Sequence, residues 1–257
     1  MIFARKRFGQ HFLHDPGVIQ RILAAIDVQP GQTVVEIGPG RGALTGALLG
    51  AAGALDAIEI DRDLAAQLRE QYRGRALVLH EADALRFDFA ALSGARGARL
   101  RVVGNLPYNV STPLLFHLVE HPQAIADLHV MLQKEVVDRI VAAPGSGEYG
   151  RLTVMLAPWV RAERLFDVGP GAFRPAPKVW SAVARLVMHE QPIFAVDARY
   201  GRVVAAAFAQ RRKTLRNALR ALLDTAAIES AGVDPGARPE TLTPEAFGAL
   251  ARLLPSG

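Results

Sequence analysis

Short runs of β-branched or leucine-rich residues recur through the first half of the chain, at Thr33 to Ile37, Leu55 to Ile60, Ala76 to His80, Leu100 to Gly104 and Leu128 to Gln133. Each reads as a strand buried on both faces. Between them lie segments whose apolar residues recur at helical spacing, such as Val18 to Ile26, Leu44 to Ala51, Leu64 to Tyr72 and Pro113 to Glu120. Strand followed by helix, repeated, predicts an α/β fold in which a parallel sheet is covered on both faces. After Gly150 the pattern changes to two longer runs, Leu152 to Val160 and Ser181 to Met188, which predict an antiparallel edge pair. The Pro- and Gly-rich stretch between them, containing Phe173-Arg174-Pro175-Ala176-Pro177-Lys178, reads as a functional loop. Beyond Glu190 only helical patterns remain, including Tyr200 to Leu223 and Pro244 to Leu254. The expected organisation is a catalytic α/β domain over 1–189 and a small all-helical domain over 190–257. No internal repeat or low-complexity tract interrupts it.

At 257 residues the chain is long enough for both parts, and 50% hydrophobic with 21% charged residues is a globular composition. There is no cysteine, which excludes disulfides, thiolate metal sites and thiol nucleophiles and fits a reducing cytoplasm. The longest apolar stretch, Gly46 to Leu55, is far short of the roughly 20 residues a membrane span needs. Arg5, Lys6 and Arg7 are followed by Gly9, Gln10, His11, His14 and Asp15, so no signal-peptide segment forms and a cytoplasmic location is expected. The net charge of +5 is modest, but its distribution is not: Arg199 to Arg220 holds seven Lys or Arg residues and no acidic one. A local basic stretch of this kind suits a polyanion such as nucleic acid.

Two segments carry candidate chemistry. The first strand runs into Glu36-Ile37-Gly38-Pro39-Gly40-Arg41-Gly42, and the next ends in Ala57-Ile58-Glu59-Ile60-Asp61. Glycines at 38, 40 and 42 let the backbone turn sharply and approach a ligand that any Cβ would exclude. Glu59 lies at the distance along the chain where an acidic side chain can accept both hydroxyls of an adenosine ribose. Alone, this arrangement also suits a nicotinamide dinucleotide. Its Glu-Ile-Gly-x-Gly-x-Gly spacing resembles the S-adenosylmethionine loop of class I methyltransferases, a Rossmann-like fold in which that loop holds the amino-acid half of the cofactor. Further on, Leu100 to Gly104 leads into Asn105-Leu106-Pro107-Tyr108 at the carboxyl end of the fourth strand, where open α/β sheets bind ligands.

The Asn-Leu-Pro-Tyr turn resembles the adenine-methylating motif of RNA dimethyltransferases. Arg5-Lys6-Arg7-Phe8-Gly9-Gln10-His11-Phe12-Leu13, Gln133-Lys134-Glu135-Val136, Tyr149-Gly150-Arg151-Leu152, Phe173 to Val179 and Arg211-Arg212-Lys213-Thr214-Leu215 extend the likeness over the whole chain. Together they resemble the 16S ribosomal RNA adenine dimethyltransferase (KsgA) family, with His11 where the family has asparagine. The resemblance implies S-adenosylmethionine as methyl donor, no metal, and four methyl transfers. These convert two adjacent adenines near the 3′ end of small-subunit ribosomal RNA to dimethyladenosine in an assembling subunit.

By the same resemblance, His11, Leu13, Gly38, Gly40, Glu59, Asp83 and Asn105 contact the cofactor, Asp83 through the adenine amino group. Asn105, Leu106, Pro107 and Tyr108 are the catalytic turn. Adenine's exocyclic nitrogen is a poor nucleophile because its lone pair is delocalised into the ring. Hydrogen bonds from its N–H groups to the Asn105 oxygen and to the carbonyl of Leu106 or Pro107 would favour a pyramidal nitrogen, with Tyr108 stacked on the base. Such a site works by positioning, so none of His11, His117 or His129 is assigned as a base. Phe173 is a candidate second aromatic against the base, or else an anchor for its loop.

On the predicted helix from Tyr200, Arg212, Arg216 and Arg220 recur every four residues and share one face for RNA phosphates, with Leu215, Leu219 and Leu222 on another. Three rivals stand beside this reading. A macrolide-resistance methylase of large-subunit RNA shares fold and motif, but the amino-terminal signature, the Phe-Arg-Pro-x-Pro-Lys-Val loop and the helical tail favour the small-subunit enzyme. A non-catalytic nucleic-acid-binding relative would not need Glu59, Asp83 and Asn105. A nicotinamide oxidoreductase leaves the Asn-Leu-Pro-Tyr turn unexplained. With no coiled coil or evident dimer face, a monomer is the default expectation.

Overall fold

The computed structural model describes residues 11–210 and 213–255. Residues 5–10 of the amino-terminal signature, and Arg212, lie outside them. The chain opens with β1 (Phe12–Leu13) and α1 (Pro16–Ile26), then alternates β2 (Val34–Ile37), α2 (Thr45–Ala52), β3 (Leu55–Glu59), α3 (Arg62–Gln71) and β4 (Leu77–Glu81). It continues through α4 (Phe89–Arg96), β5 (Leu100–Asn105), α5 (Ser111–Val119), β6 (Ile125–Gln133), α6 (Lys134–Ile140) and α7 (Arg151–Leu156). Strands β7 (Val160–Val168), β8 (Phe173–Arg174) and β9 (Ser181–Met188) follow, and then α8 (Ala198–Phe208), α9 (Leu215–Ala218), α10 (Thr225–Ser230) and α11 (Pro244–Arg252).

Seven strands form one sheet in the order β4-β3-β2-β5-β6-β9-β7, and β1 pairs with β8 in a separate two-stranded ribbon. Strands β4, β3, β2, β5 and β6 run parallel, whereas β9 is antiparallel to β6. Apolar residues of α1 and α2, among them Ile26, Leu48 and Leu49, pack with Val34, Val103, Met131 and Val183 of the strands into one core. This is the expected α/β sheet with flanking helices and a helical carboxyl-terminal part. Local chemistry sets the helix starts: Asp15 accepts from the Val18 N–H at 2.9 Å with Pro16 in the first turn of α1, and Asp61 caps α3 through the Asp63 N–H.

The chain divides into two compact units. One takes in the described residues up to Val137 together with Glu163–Met188; the other takes in Asp138–Ala162 together with those from His189 onward. The second unit has its own core, built around Tyr149, Val154, Tyr200, Val204, Leu215, Leu219, Phe247 and Leu250. The change of pattern at residue 190 therefore marks the chain's last entry into this unit, to which 138–162 also belongs.

Two expected elements differ. Leu152 to Val160 is not a strand. Its first part is α7, whose Thr153 hydroxyl donates to the Arg139 carbonyl and accepts from the Gly150 N–H at 3.2 Å, and Pro158 follows its end. The edge strand is instead β7, beginning at Val160. The predicted helix from Tyr200 to Leu223 is also broken, since α8 ends at Phe208 and Thr214 starts α9 in an extended conformation. The Leu215 and Arg216 N–H groups donate to the carbonyls of Ala237 and Pro235, bonds that a continuous helix could not make. Leu215 and Leu219 are buried as expected, but Arg216 sits in α9 and Arg220 in the turn after it, so they are not stations on one long helical stripe.

Candidate active site

Register aligns the carboxyl ends of the parallel strands. Ile37 is opposite Ile58 and Gly104, and Glu59 is opposite Glu81. A cleft of about 290 Å³ opens at this rim. The structure brings His11, Leu13, Gly38, Gly40, Glu59 and Asp83 to its walls, together with the turn from Asn105 to Tyr108.

The glycine loop is fixed from below. The Gly38 N–H donates to the Ile58 carbonyl at 2.9 Å, and Glu59 Oε2 accepts from the Gly40 N–H at 3.1 Å while its Oε1 accepts from the Asp61 N–H at 2.9 Å. Gly40 has a φ of +59°, and a Cβ there would lie 3.2 Å from the Phe12 ring, so conformation and space both demand glycine. The Arg41 guanidinium lies over that ring, 4.5 Å from its centroid.

Two buried carboxylates face the cleft. Burial pushes Glu36 up to about 7, opposed by the Thr45 hydroxyl donating to its Oε2 at 2.6 Å and reinforced by the charge of Glu59. Burial likewise raises Glu59, against the Asp61 and Gly40 N–H bonds that favour its charged form. The wall thus holds more negative charge than the fold alone accommodates comfortably, a setting that favours a cationic ligand. Asp83 is partly buried and accepts from the Leu85 N–H at 3.0 Å, capping a single 3₁₀ turn. Ile60, 48% exposed, joins Leu85, Val110 and Leu114 as an apolar wall.

The Asn105–Tyr108 turn is held from three sides. The Leu106 N–H donates to the Met131 carbonyl at 3.1 Å, and the Tyr108 hydroxyl is 2.6 Å from Ser181 Oγ at the start of β9. Asn105 Nδ2 donates to the His11 carbonyl at 3.0 Å. A carbonyl can only accept, so the Asn105 amide is oriented with its oxygen turned away from His11. Gly104 lets β5 reach this point, because a Cβ there would lie 2.7 Å from the Ile37 carbonyl oxygen and 2.8 Å from Leu106 Cδ2. The His11 ring stacks on Tyr108 with centroids 5.7 Å apart, and its Nδ1–H donates to the Pro175 carbonyl at 2.8 Å. The side chain that stands in for the family asparagine thus braces the turn, alongside the β1–β8 pairing of Phe12 with Arg174 and Leu13 with Phe173.

Phe173 is corrected. At 2% exposure it is packed in the core with Leu13 and Val168, so it anchors its loop and offers no face to a base. Sequence reasoning did not single out Thr45, Ser181, Phe12 or the apolar wall. Ser181 is 73 residues from Tyr108 and left no local signal, whereas Ile60, apolar at the exposed end of a buried strand, was a usable one. Among the described residues no cluster of three or more His, Asp or Glu could hold a metal, and no helix is long and apolar enough to cross a membrane.

Comparison with known proteins agrees with this geometry. The family model described as ribosomal RNA adenine dimethylase matches residues 2–254. A protein from Pseudomonas fluorescens named ribosomal RNA small subunit methyltransferase A is 57% identical over 254 residues, covering 98% of this chain and 94% of that one. Among solved structures, a dimethyladenosine transferase from Plasmodium falciparum superposes with a TM-score of 0.82 at 25% identity, covering 93% of this chain and 96% of its own. The 23S rRNA methyltransferase ErmE gives a TM-score of 0.72 at 30% identity, with 95% and 99% covered.

Proposed function

The chain belongs to the ribosomal RNA adenine dimethylase family, and from that premise we propose that it dimethylates two adjacent adenines near the 3′ end of small-subunit ribosomal RNA during subunit assembly in the cytoplasm. S-Adenosylmethionine supplies an electrophilic methyl group carried on a positively charged sulfur. The cleft fits such a molecule: Gly38 and Gly40 permit close backbone approach, the raised Glu36 and Glu59 favour positive charge, and an apolar wall begins at Ile60.

We assign Glu59 to the ribose hydroxyls. Each of its oxygens already accepts one N–H and keeps capacity for a second. Asp83 takes the adenine amino group of the donor, and His11 and Leu13 close the opposite side. At the acceptor base, Asn105 Oδ1 and one backbone carbonyl accept the two amino hydrogens. The backbone acceptor we assign is the carbonyl of Leu106 or Pro107; that of Pro107 already accepts the Val110 N–H at 3.1 Å and keeps a second lone pair. Tyr108 stacks on the target base. Arg216 and Arg220, both exposed, contact RNA phosphate, and Arg212 is assigned with them from its sequence position.

The observation that carries the reading is the orientation of Asn105, forced by His11, at the carboxyl end of β5. The test is transfer of labelled methyl from S-adenosylmethionine to unmethylated small ribosomal subunits, with nucleoside mass spectrometry of the product. Dimethyladenosine at adjacent positions near the RNA 3′ end is expected. Transfer only to large-subunit RNA would overturn the assignment in favour of a resistance-type methylase.

A further inference from the structure

Six large apolar residues are exposed among the described residues, and Trp180, 55% exposed, is the one aromatic. An exposed tryptophan keeps a large apolar surface in water, so it calls for a partner. The residue is anchored through its backbone and one ring edge. Its backbone carbonyl accepts the Lys134 N–H at 2.9 Å, and the ring edge rests on Gly169, where a Cβ would lie 3.6 Å from Cη2. The next residue, Ser181, bonds the Tyr108 hydroxyl and pairs in register with Gln133 at the carboxyl end of β6. Trp180 therefore stands at the sheet rim, largely exposed, one residue from a direct contact to the Asn105–Tyr108 turn.

The segment that carries it is basic, and the nearby Asp167 is paired with Arg164. Between Gly169 and Met188 there is no acidic residue, and Arg174 and Lys178 are exposed. An exposed aromatic face beside cations is the arrangement that binds unpaired nucleotides, with stacking on the ring and phosphates on the cations. We propose that Trp180 is a stacking platform for an unpaired base of the substrate RNA that flanks the target adenine, a positioning residue that resists backsliding of the strand while the adenine occupies the cleft. The proposal rests on the assignment of RNA as substrate. It deepens that assignment by giving a flanking nucleotide a place to bind.

The test compares Trp180→Ala and Trp180→Phe with the parent in steady-state methylation of unmethylated small subunits, alongside melting temperature and S-adenosylmethionine affinity. Loss of one stacked base predicts a KM for subunits raised about tenfold in the alanine variant. The phenylalanine variant should stay within about threefold of the parent, with donor affinity and melting temperature unchanged in both. A second readout uses Trp159→Phe, which leaves Trp180 as the only one of the two tryptophans. Single-stranded oligoadenylate should quench its fluorescence. A parent that methylates subunits while Trp180→Ala matches its KM would overturn the inference and spare the function. A raised KM with fluorescence unmoved by oligoadenylate would assign Trp180 to a ribosomal protein contact and also overturn it. A parent inactive on small subunits would instead sink the substrate assignment itself.

Discussion

Replacing Glu36 with Gln isolates the energetic strain of the cofactor wall. Glu36 ends up 3% exposed on β2, and burial is the main reason its proton affinity rises to about 7 from 4.5 in the unfolded chain. Between those values the folded protein holds a proton that the unfolded chain has released. Glu36 therefore contributes stability that is fully present below pH 4.5 and is lost as the pH rises through about 7. At about 1.4 kcal/mol per pH unit, holding the ionised carboxylate in the fold costs about 3 kcal/mol once the pH is well above 7. Glutamine keeps the size of the neutral acid and an oxygen to accept the Thr45 hydroxyl, but it never ionises.

Urea unfolding of the ligand-free protein at a series of pH values is the assay. Parent and Glu36→Gln curves should coincide near pH 4.5, diverge as the pH rises to about 7 and stay apart above it, with the variant more stable by about 3 kcal/mol. A constant offset across that range would refute the reasoning, and a variant less stable at pH 8 would show that the carboxylate is paired rather than strained. The same logic gives the binding sign: a cationic donor favours the ionised form, so the parent's affinity should fall below pH 7 while the variant's stays flat.

For Asn105→Ala, kcat should fall on the order of 100-fold, with donor affinity by calorimetry little changed; near-normal turnover would remove Asn105 from the chemistry. Glu59→Ala should weaken donor binding by about tenfold or more, and an unchanged Kd would show that the ribose contact is misplaced. Reversing Arg216 and Arg220 to Glu should weaken RNA binding and lower the slope of log affinity against log salt by about one for each residue; an unaltered slope would put both side chains away from phosphate.

What the sequence revealed and what it hid follow one physical division. Strands β2, β3 and β5 are buried on both faces and had to be mostly apolar, so their ends, and with them Glu59 and Asn105, could be placed by pattern. Strand β7 is an edge strand carrying Arg161, Glu163, Arg164 and Asp167, a charge pattern that protects an edge and conceals a strand. The apolar run before it is buried as a helix, and continuous apolarity does not distinguish the two. Breaking the basic helix depended on bonds to Ala237 and Pro235, about 20 residues away, which no local propensity records. Phe173 looked like a site residue because of its neighbours in sequence; its partner Leu13 belongs to a strand of two residues, too short to carry any period.

The side chains around the Asn105–Tyr108 turn bear on the proposed mechanism, in which the site works by positioning rather than by proton removal. His11 commits Nδ1 to Pro175 and its ring face to Tyr108, His117 donates Nε2–H to the Phe87 carbonyl, and His129 is buried in the sheet beside Asp127. Burial raises the Tyr108 phenol above its ordinary value, so it keeps its proton at neutral pH, and Ser181 fixes its hydroxyl. On the proposed assignment the Asn105 oxygen, a backbone carbonyl and the Tyr108 ring face are set in place by folding, and such groups need no rearrangement as charge develops on nitrogen. Dimethylation makes this arrangement more useful than a base would be. On that assignment the amine has one N–H left after the first transfer, so one of the two assigned acceptors loses its donor while stacking on Tyr108 would be unaffected. A turn anchored to β6, to β9 and to the amino-terminal segment can present the same acceptors to both forms of the base, and the second methyl then needs only that the remaining N–H find one of them.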